Sequence, residues 1–298
     1  MRVVAVVGGG GRLGRHVVDE LGDAFDVRVL DLNGAGASRH SATVDITKLG
    51  DLRKAFAEVD AVIHVAGIDG HVEATTEAFF AANVMGTWNV LQAAQECGVR
   101  KVIVTSSTSA TGLNDASILN VPEYLPIDED HPLASVGPYG LGKQINEITA
   151  AGYARDGIAH VVCIRPTYIA FPELVDHLAD EARTPEPESR LAFREPRPLL
   201  RTYVDPRDLA RCYRLALEYE STGFDLFWAS AADTFEAMPT LDYLQTLYGR
   251  LPVIRKPAMY EVDPHASVID CSRARRLLKW EPEIKWSHLA AAASARRK

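Results

Sequence analysis

The sequence predicts a doubly wound parallel α/β sheet with a small, discontinuous C-terminal substrate domain. Three observations carry that expectation. Short apolar runs alternate with helix-length amphipathic stretches through the first half of the chain, the pattern of parallel strands joined by right-handed helical crossovers. The runs are near-continuous Val and Ile, as strands covered on both faces require. Four consecutive glycines, Gly8 to Gly11, fall between the first run and the first helix, at the carboxyl end of a strand, where ligands bind such sheets.

Taken in order, "RVVAVV" is the first strand and a helix begins at about Arg12. "DVRVLDL" and "ATVDI" read as the second and third strands, followed by a helix around Lys48–Ala57. "DAVIHVAG" is the fourth strand, and a long helix runs near Glu73–Cys97. "RKVIVTSS" is the fifth strand, a helix starts at about Pro138, and "HVVCIRP" is the sixth. Residues 1–166 therefore form a dinucleotide-binding domain of the Rossmann type. After Pro166 the alternation stops, and the prolines of "FPELVDHLADEARTPEPESRLAFREPRPLLRTYV" suit a segment that covers substrate. "PRDLARCYRLALEY" restores helical spacing and "GFDLFWAS" reads as a returning strand, so residues 202–230 rejoin the first domain. Segments 167–201 and 231–298 make the substrate domain, with a short helix in "VIDCSRARRLLKWEP" that stops before Pro282.

Composition excludes several classes of function. The 298 residues carry a net charge of -8, which argues against nucleic-acid binding, since neutralising phosphates needs clustered Lys and Arg. No stretch approaches the roughly 18 apolar residues of a membrane span. The N-terminal "MRVVAVVGGGG" reads as strand and loop rather than as a signal peptide. Cys97, Cys163, Cys212 and Cys271 are scattered, with no C-x-x-C pair, as expected of reduced thiols in a cytoplasmic protein. No metal site is expected.

The glycines fit two spacings, Gly8-x-x-Gly11-x-x-Gly14 and Gly9-x-Gly11-x-x-Gly14. Either lets the backbone approach a pyrophosphate, with the free N–H groups and positive end of the helix near Arg12 facing it. Asp31, at the end of the second strand, is placed to accept hydrogen bonds from adenosine ribose hydroxyls and to repel a 2′-phosphate. That favours NAD over NADP, although a nearby Arg39 offers a possible partner for such a phosphate. Asp45 and Ile46 close the third strand, where an acid can meet the adenine amino group or, equally, cap the next helix. Ala66 and Gly67 are small enough for the cofactor to lie close to the fourth strand. His64 reads as a packed strand residue.

Further along, Tyr139 and Lys143 stand at i and i+4 and share a helix face. A free tyrosine, with a pKa near ~10, is a poor base at neutral pH. A neighbouring ammonium and the positive nicotinamide favour its phenolate. Ser107, at the end of the fifth strand, is placed to hold the reacting oxygen during proton transfer.

With those residues the sequence resembles the extended short-chain dehydrogenase/reductase family, the nucleotide-sugar epimerase and dehydratase group. The matches run in order: Gly8-x-x-Gly11-x-x-Gly14, Asp31, "DI" at 45–46, "HVAG" at 64–67, "NVMGTWNVLQAA" at 83–94, "SS" at 106–107, Tyr139-x-x-x-Lys143, "RTYVDPRDLA" at 201–210 and "SRARRLLKWEP" at 272–282. The resemblance selects the first glycine spacing and implies bound NAD with Ser107, Tyr139 and Lys143 as the catalytic set. The cofactor-binding residues it implies are Gly8, Gly11, Arg12, Leu13, Gly14, Asp31, Asp45, Ile46, Val65, Ala66, Gly67, Asn83, Tyr139, Lys143 and Pro166. Those expected near substrate are His71, Thr108, Ser109, Thr167 and Arg201, the last matching the family's substrate-facing arginine ahead of Tyr203. Arg190, Arg194 and Arg197 are further candidates for an anion clamp. Many relatives pair through two long helices, so a homodimer is expected.

The departures narrow the activity. Thr108 and Ser109 stand where 4,6-dehydratases carry Asp-Glu, so elimination of water is not expected. Thr111 replaces the tyrosine of the epimerase pattern S-S-x-x-x-Y-G, and "IRPTYIAF" lacks the usual Asn. No Arg-Arg-x-Gly-Asp element stands in "GRLPVIRKPAMYEVDPHASV" to grip a nucleoside diphosphate, and the middle segment is short. The pattern is similar to uronate dehydrogenases. The sequence therefore leads to an NAD-dependent oxidoreductase acting on a hydroxyl of a sugar or sugar acid. A nucleotide-sugar 4-epimerase with tightly held NAD is the alternative enzyme, and a non-catalytic dinucleotide sensor the alternative of another class.

Overall fold

The structure, a computed structural model, describes residues 2–33, 40–70, 72–113, 120–155, 160–182 and 200–296. Its centre is a sheet whose seven strands all pair in parallel. Strand β1 (Val3–Val7) lies inside it, flanked on one side by β2 (Asp26–Asp31) and β3 (Ser41–Thr43). On its other side come β4 (Ala61–His64) and β5 (Lys101–Thr105). The short β6 (Tyr124–Leu125) lies outside this sheet, and β7 (His160–Pro166) pairs next to β5. Two further short strands, β8 (Tyr168–Ile169) and β9 (Tyr203–Val204), pair with each other. Strand β10 (Phe224–Ala229) returns to the edge of the main sheet beside β7, and β11 (Val253–Ile254) pairs with β6. The chain leaves β1 in one direction for β2 and β3 and in the other for β4 onward. This reversal is the topological switch point, where a ligand crevice opens.

Sequence alternation decides the two faces. Val4 and Val6 of β1 enter one core cluster, with Ile63, Ile103, Val162 and Ile164, while Ala5 and Val7 enter the other, with Val62, Val102, Val104 and Cys163. On the first face pack α1 (Arg12–Leu21) and the helix Pro206–Glu218; on the second, α2 (Leu49–Ala55). The long helix read over 73–97 is not uniform. Helix α3 (Thr76–Phe79) runs into a wide π-type turn over Phe80–Met85 and then α4 (Gly86–Glu96), the kind of irregularity that re-aims a side chain. Helix α5 (Pro138–Arg155) packs beside α4.

The rest of the chain is built on shorter pieces. These are α6 (Pro172–Ala182), α7 (Pro206–Glu218), α8 (Thr240–Tyr248), α9 (Pro257–Val262), α10 (Ser272–Leu278) and α11 (Trp286–Arg296). Helix α7 begins at a cap in which Asp205 accepts the N–H of Arg207 ahead of Pro206. Two smaller apolar clusters hold these pieces, one around Trp228, Leu244 and Val268, the other around Tyr203, Phe235 and Leu289. No helix among the described residues is long and apolar enough to cross a membrane.

Candidate active site

The glycine turn after β1 is shaped by close approach. Gly8 has φ +87°, the left-handed region, and a Cβ there would stand 2.5 Å from the Ala66 nitrogen. At Gly14 a Cβ would meet the Gly8 carbonyl oxygen at 2.1 Å, so the first turn of α1 lies directly on the loop. Gly11 is under milder pressure, 3.2 Å from that same oxygen, and its N–H donates to it. Asp31 caps the arrangement from β2: its Oδ2 accepts the Gly10 N–H at 3.0 Å, and its Oδ1 accepts the Asn33 N–H. No side chain caps the start of α1. The cradle free of Cβ atoms, the uncapped helix end and the acid at the tip of β2 together fit a dinucleotide.

Several neighbours fall where a cofactor would pass. The N–H groups of Val65 and Ala66 both donate to the Val7 carbonyl, holding the end of β4 against the loop. Leu13 packs on the core under α1. The Arg12 guanidinium lies 3.4 Å from Asp69, 3.7 Å from Glu173 and 4.7 Å over the Phe171 ring, spanning the crevice mouth. Asn83, aimed by the π-type turn, holds the backbone of Ile68: its Oδ1 accepts that residue's N–H at 2.7 Å and its Nδ2 donates to the carbonyl at 2.9 Å. It shapes the loop after Gly67, where a Cβ would stand 2.8 Å from Asn83 Oδ1. Ile46 packs against Gly86.

The catalytic candidates converge. Lys143 is buried and donates to the Thr105 carbonyl at the end of β5, at 2.8 Å. Its Nζ lies 5.7 Å from the Tyr139 ring centroid. The Ser107 side chain lies near enough to the Tyr139 phenol to favour its ionised form, and Phe79 packs against the tyrosine ring in a T-shaped pair. Burial and then the charge of Asp69 push the Tyr139 phenol above its ordinary range, against the pull of Ser107. Burial pushes Lys143 down to about 8, opposed by Asp69, Cys163 and Glu147. Thr105 is a hub: its hydroxyl donates to the His64 carbonyl and meets Tyr213 Oη at 2.6 Å. His64 packs as read, with Nε2 at 3.0 Å from Thr87 Oγ1, and burial followed by the Lys143 charge lowers it to about 3.

Other expectations need correction. Strand β3 ends at Thr43, so Asp45 lies on the loop beyond it. Its carboxylate turns back on that loop, accepting the Thr47 N–H and hydroxyl and pairing with Lys48 at 3.4 Å, which lowers its pKa. These partners, two and three residues away, give the carboxylate a local role. Thr108, expected near substrate, is buried, and its hydroxyl is spent on the Pro166 carbonyl at 2.9 Å. Thr167 is buried too, its hydroxyl 3.5 Å from the Ala229 carbonyl. Ser109 stays half-exposed beside Ser107, whose hydroxyl accepts its N–H. Arg201 is not an open anion clamp. It is 2% exposed, has φ +53°, pairs with Glu236 at 3.2 Å and stacks on Phe235 and Tyr243, so its charge is already matched inside the protein. Arg39, His71, Arg190, Arg194 and Arg197 lie outside the described residues.

Sequence reasoning missed two groups of residues. Asp69 and Gly70 belong to the loop after β4 and face Tyr139; no local pattern marks them. Glu147 lies one helical turn beyond Lys143 and forms a buried ion pair with Arg165. Its i+4 spacing from Lys143 was the available signal.

Comparison with known proteins finds matches over most of the chain. The model of the NAD dependent epimerase/dehydratase family matches residues 4–225. UDP-glucose 4-epimerase of Streptococcus mutans is 26% identical over 94% of this chain and 92% of its own. NAD-dependent glucose-6-phosphate dehydrogenase of Haloferax volcanii is 32% identical over 54% of this chain and 66% of its own. Among solved structures, a short-chain dehydrogenase/reductase superfamily protein from Agrobacterium tumefaciens with bound NAD superposes with TM-score 0.73 at 26% identity, over 99% of this chain and 97% of that one.

Proposed function

The chain belongs to the NAD-dependent epimerase/dehydratase family, and from that premise we propose that it is a dehydrogenase oxidising a hydroxyl of a sugar or sugar acid that carries no nucleotide. The observation that carries the reading is the convergence of Ser107, Tyr139 and Lys143 beside a loop that fits a dinucleotide. NAD, when bound, supplies the hydride acceptor. Tyr139 Oη takes the proton of the substrate hydroxyl, and Ser107 Oγ holds the reacting oxygen in line with it. Lys143, fixed by the Thr105 carbonyl, supplies the positive charge that offsets the cost of a buried phenolate. A purely binding protein has no need of that tyrosine, which counts against the dinucleotide sensor.

Two features support a substrate without a nucleotide. The C-terminal sequence lacks the diphosphate-gripping arginines of the epimerase pattern, and the buried Arg201–Glu236 pair holds the charge of the best remaining candidate. The relative from Haloferax volcanii, a glucose-6-phosphate dehydrogenase by name, supports the same reading. The test is a screen for NAD reduction across aldoses, uronates, sugar phosphates and polyols, with UDP- and GDP-sugars alongside. Net NADH formation from a free sugar, reduced a hundredfold or so in Tyr139→Phe, is expected. Conversion of a nucleotide sugar without net NADH would promote the 4-epimerase.

The reading also includes a cytoplasmic location, in keeping with the four unpaired cysteines, and a homodimer through α4 and α5, where Met85 at the end of the π-type turn, Trp88 and Ile148 are exposed. Sedimentation velocity tests the dimer: the parent protein should run at twice the monomer mass and Trp88→Asp as a monomer.

A further inference from the structure

Beneath the candidate catalytic residues lies a buried ionic clamp that the mechanism above does not use. Glu147 and Arg165 are 6% and 2% exposed. The guanidinium grips the carboxylate at two points, Nε to Oε1 and Nη2 to Oε2, each at 2.7 Å. Glu147 Oε1 also accepts the Ser106 hydroxyl, and the Ser106 N–H donates to the Ile164 carbonyl. Arg165 in turn stacks on Trp228 and reaches the Glu129 carbonyl. One carboxylate thus ties α5 to the ends of β5 and β7, next to Ser107 in sequence and one turn from Lys143 on the helix.

A buried ion pair is a poor way to gain stability, since well-packed apolar residues commonly do as well. What a forked pair provides and apolar contact does not is direction. We propose that Glu147 is a positioning residue for the Ser107–Tyr139–Lys143 set, fixing the register of α5 against Ser106–Ser107 and holding a negative charge one helical turn from Lys143. The inference rests on the catalytic reading of those three residues. Lys143 is faced by His64 of β4, Asp69 of the following loop, Cys163 of β7, and Tyr139 and Glu147 of its own helix. Of the acids, Asp69 sits in a half-exposed pair with Arg12, whereas Glu147 is enclosed. Removing the Glu147 charge should therefore make Lys143 easier to deprotonate, and loosening Ser106 should shift Ser107 away from the tyrosine.

Both consequences are readable without a substrate, by NMR of the whole protein labelled at lysine Cε and tyrosine Cζ. Loss of the signal in Lys143→Met and Tyr139→Phe assigns the two resonances. In Glu147→Gln the Lys143 midpoint should fall, cutting its charged fraction at pH 8 at least threefold, while Glu147→Asp restores most of it. If Glu147→Gln does not fold, the Ser106→Ala comparison, which leaves both buried charges in place, carries the test by itself. Ser106→Ala should move the Tyr139 resonance in the same direction as Ser107→Ala. An unchanged Lys143 midpoint without the Glu147 charge, or an unmoved Tyr139 signal in Ser106→Ala when Ser107→Ala shifts it, overturns the proposal and leaves the clamp a structural pair. If Ser107→Ala itself leaves Tyr139 unmoved, the failure lies with the Ser107–Tyr139 reading instead.

Discussion

Gly70 lies against the ring of Tyr139: a Cβ built on it would stand 2.9 Å from Tyr139 Cδ1 and 3.1 Å from Cγ. These atoms are the root of the ring, and Phe79 already packs against it, so the tyrosine has little room to yield. Gly70→Ala should therefore tilt Tyr139 away from Ser107 while leaving the glycine cradle around Gly8 untouched. A displacement near 1 Å at a reacting group costs on the order of a hundredfold. Turnover on the sugar identified by the screen should fall by about that factor, with NAD affinity within twofold of the parent. Normal turnover in Gly70→Ala would show that the contact does not position the ring.

Asp31 holds the glycine loop as well as standing where a ribose would lie, because its Oδ2 accepts the Gly10 N–H. Two effects are then expected of Asp31→Ala in calorimetry. The parent protein should prefer NAD to NADP at least tenfold, and the substitution should narrow that gap by removing the repulsion of a 2′-phosphate. It should also weaken NAD itself, since the loop loses a charge-assisted hydrogen bond, about 1.5–3 kcal/mol or roughly 10- to 150-fold. A parent protein that prefers NADP would end this assignment.

The first half of the chain was legible because its physics is local. Val and Ile runs, a glycine turn and an i, i+4 pair each declare themselves within a few residues, and the succession of the main strands along the chain followed from them. What stayed hidden depends on distant partners. That Arg201 faces Glu236, or Glu147 faces Arg165, is decided by how separate segments pack, and no spacing in either segment announces it. Thr108 and Ser109 look alike in sequence, yet only the first is turned into the Pro166 carbonyl. Asp45 was ambiguous for the opposite reason: its nearest partners, Thr47 and Lys48, compete with any ligand.

Arg201 yields a prediction different from the one its sequence context invites. As an open clamp, its loss would weaken only acidic substrates. Buried against Glu236, its loss strands a carboxylate in the interior, and breaking such a pair costs about 3–5 kcal/mol. Arg201→Ala should therefore lower the urea midpoint substantially, and Arg201→Met with Glu236→Leu should recover most of the loss. A variant of parental stability with a selectively raised KM for a uronate would return Arg201 to the substrate.

His64 sets an acid limit on the fold. Enclosed on β4, it makes one hydrogen bond through Nε2 to Thr87, and burial followed by the nearby Lys143 charge holds its pKa at about 3. In the unfolded chain the same imidazole has a pKa near ~6.5. Between those values the unfolded state binds a proton that the folded state refuses, so stability rises with pH across the window and falls on acidification. The contribution is complete above about pH 6.5, is lost progressively toward pH 3, and has a limiting slope of about 1.4 kcal/mol per pH unit. Urea unfolding at half-unit steps from pH 7 to pH 4 measures it. His64→Gln, which presents an amide to Thr87 and takes up no proton, should be less stable than the parent at pH 7. Its stability should nevertheless fall less steeply with acid, so that the two curves converge toward pH 4. Parallel curves would mean that His64 is protonated as readily in the fold as outside it, and that the steep part of the acid limb belongs to other groups.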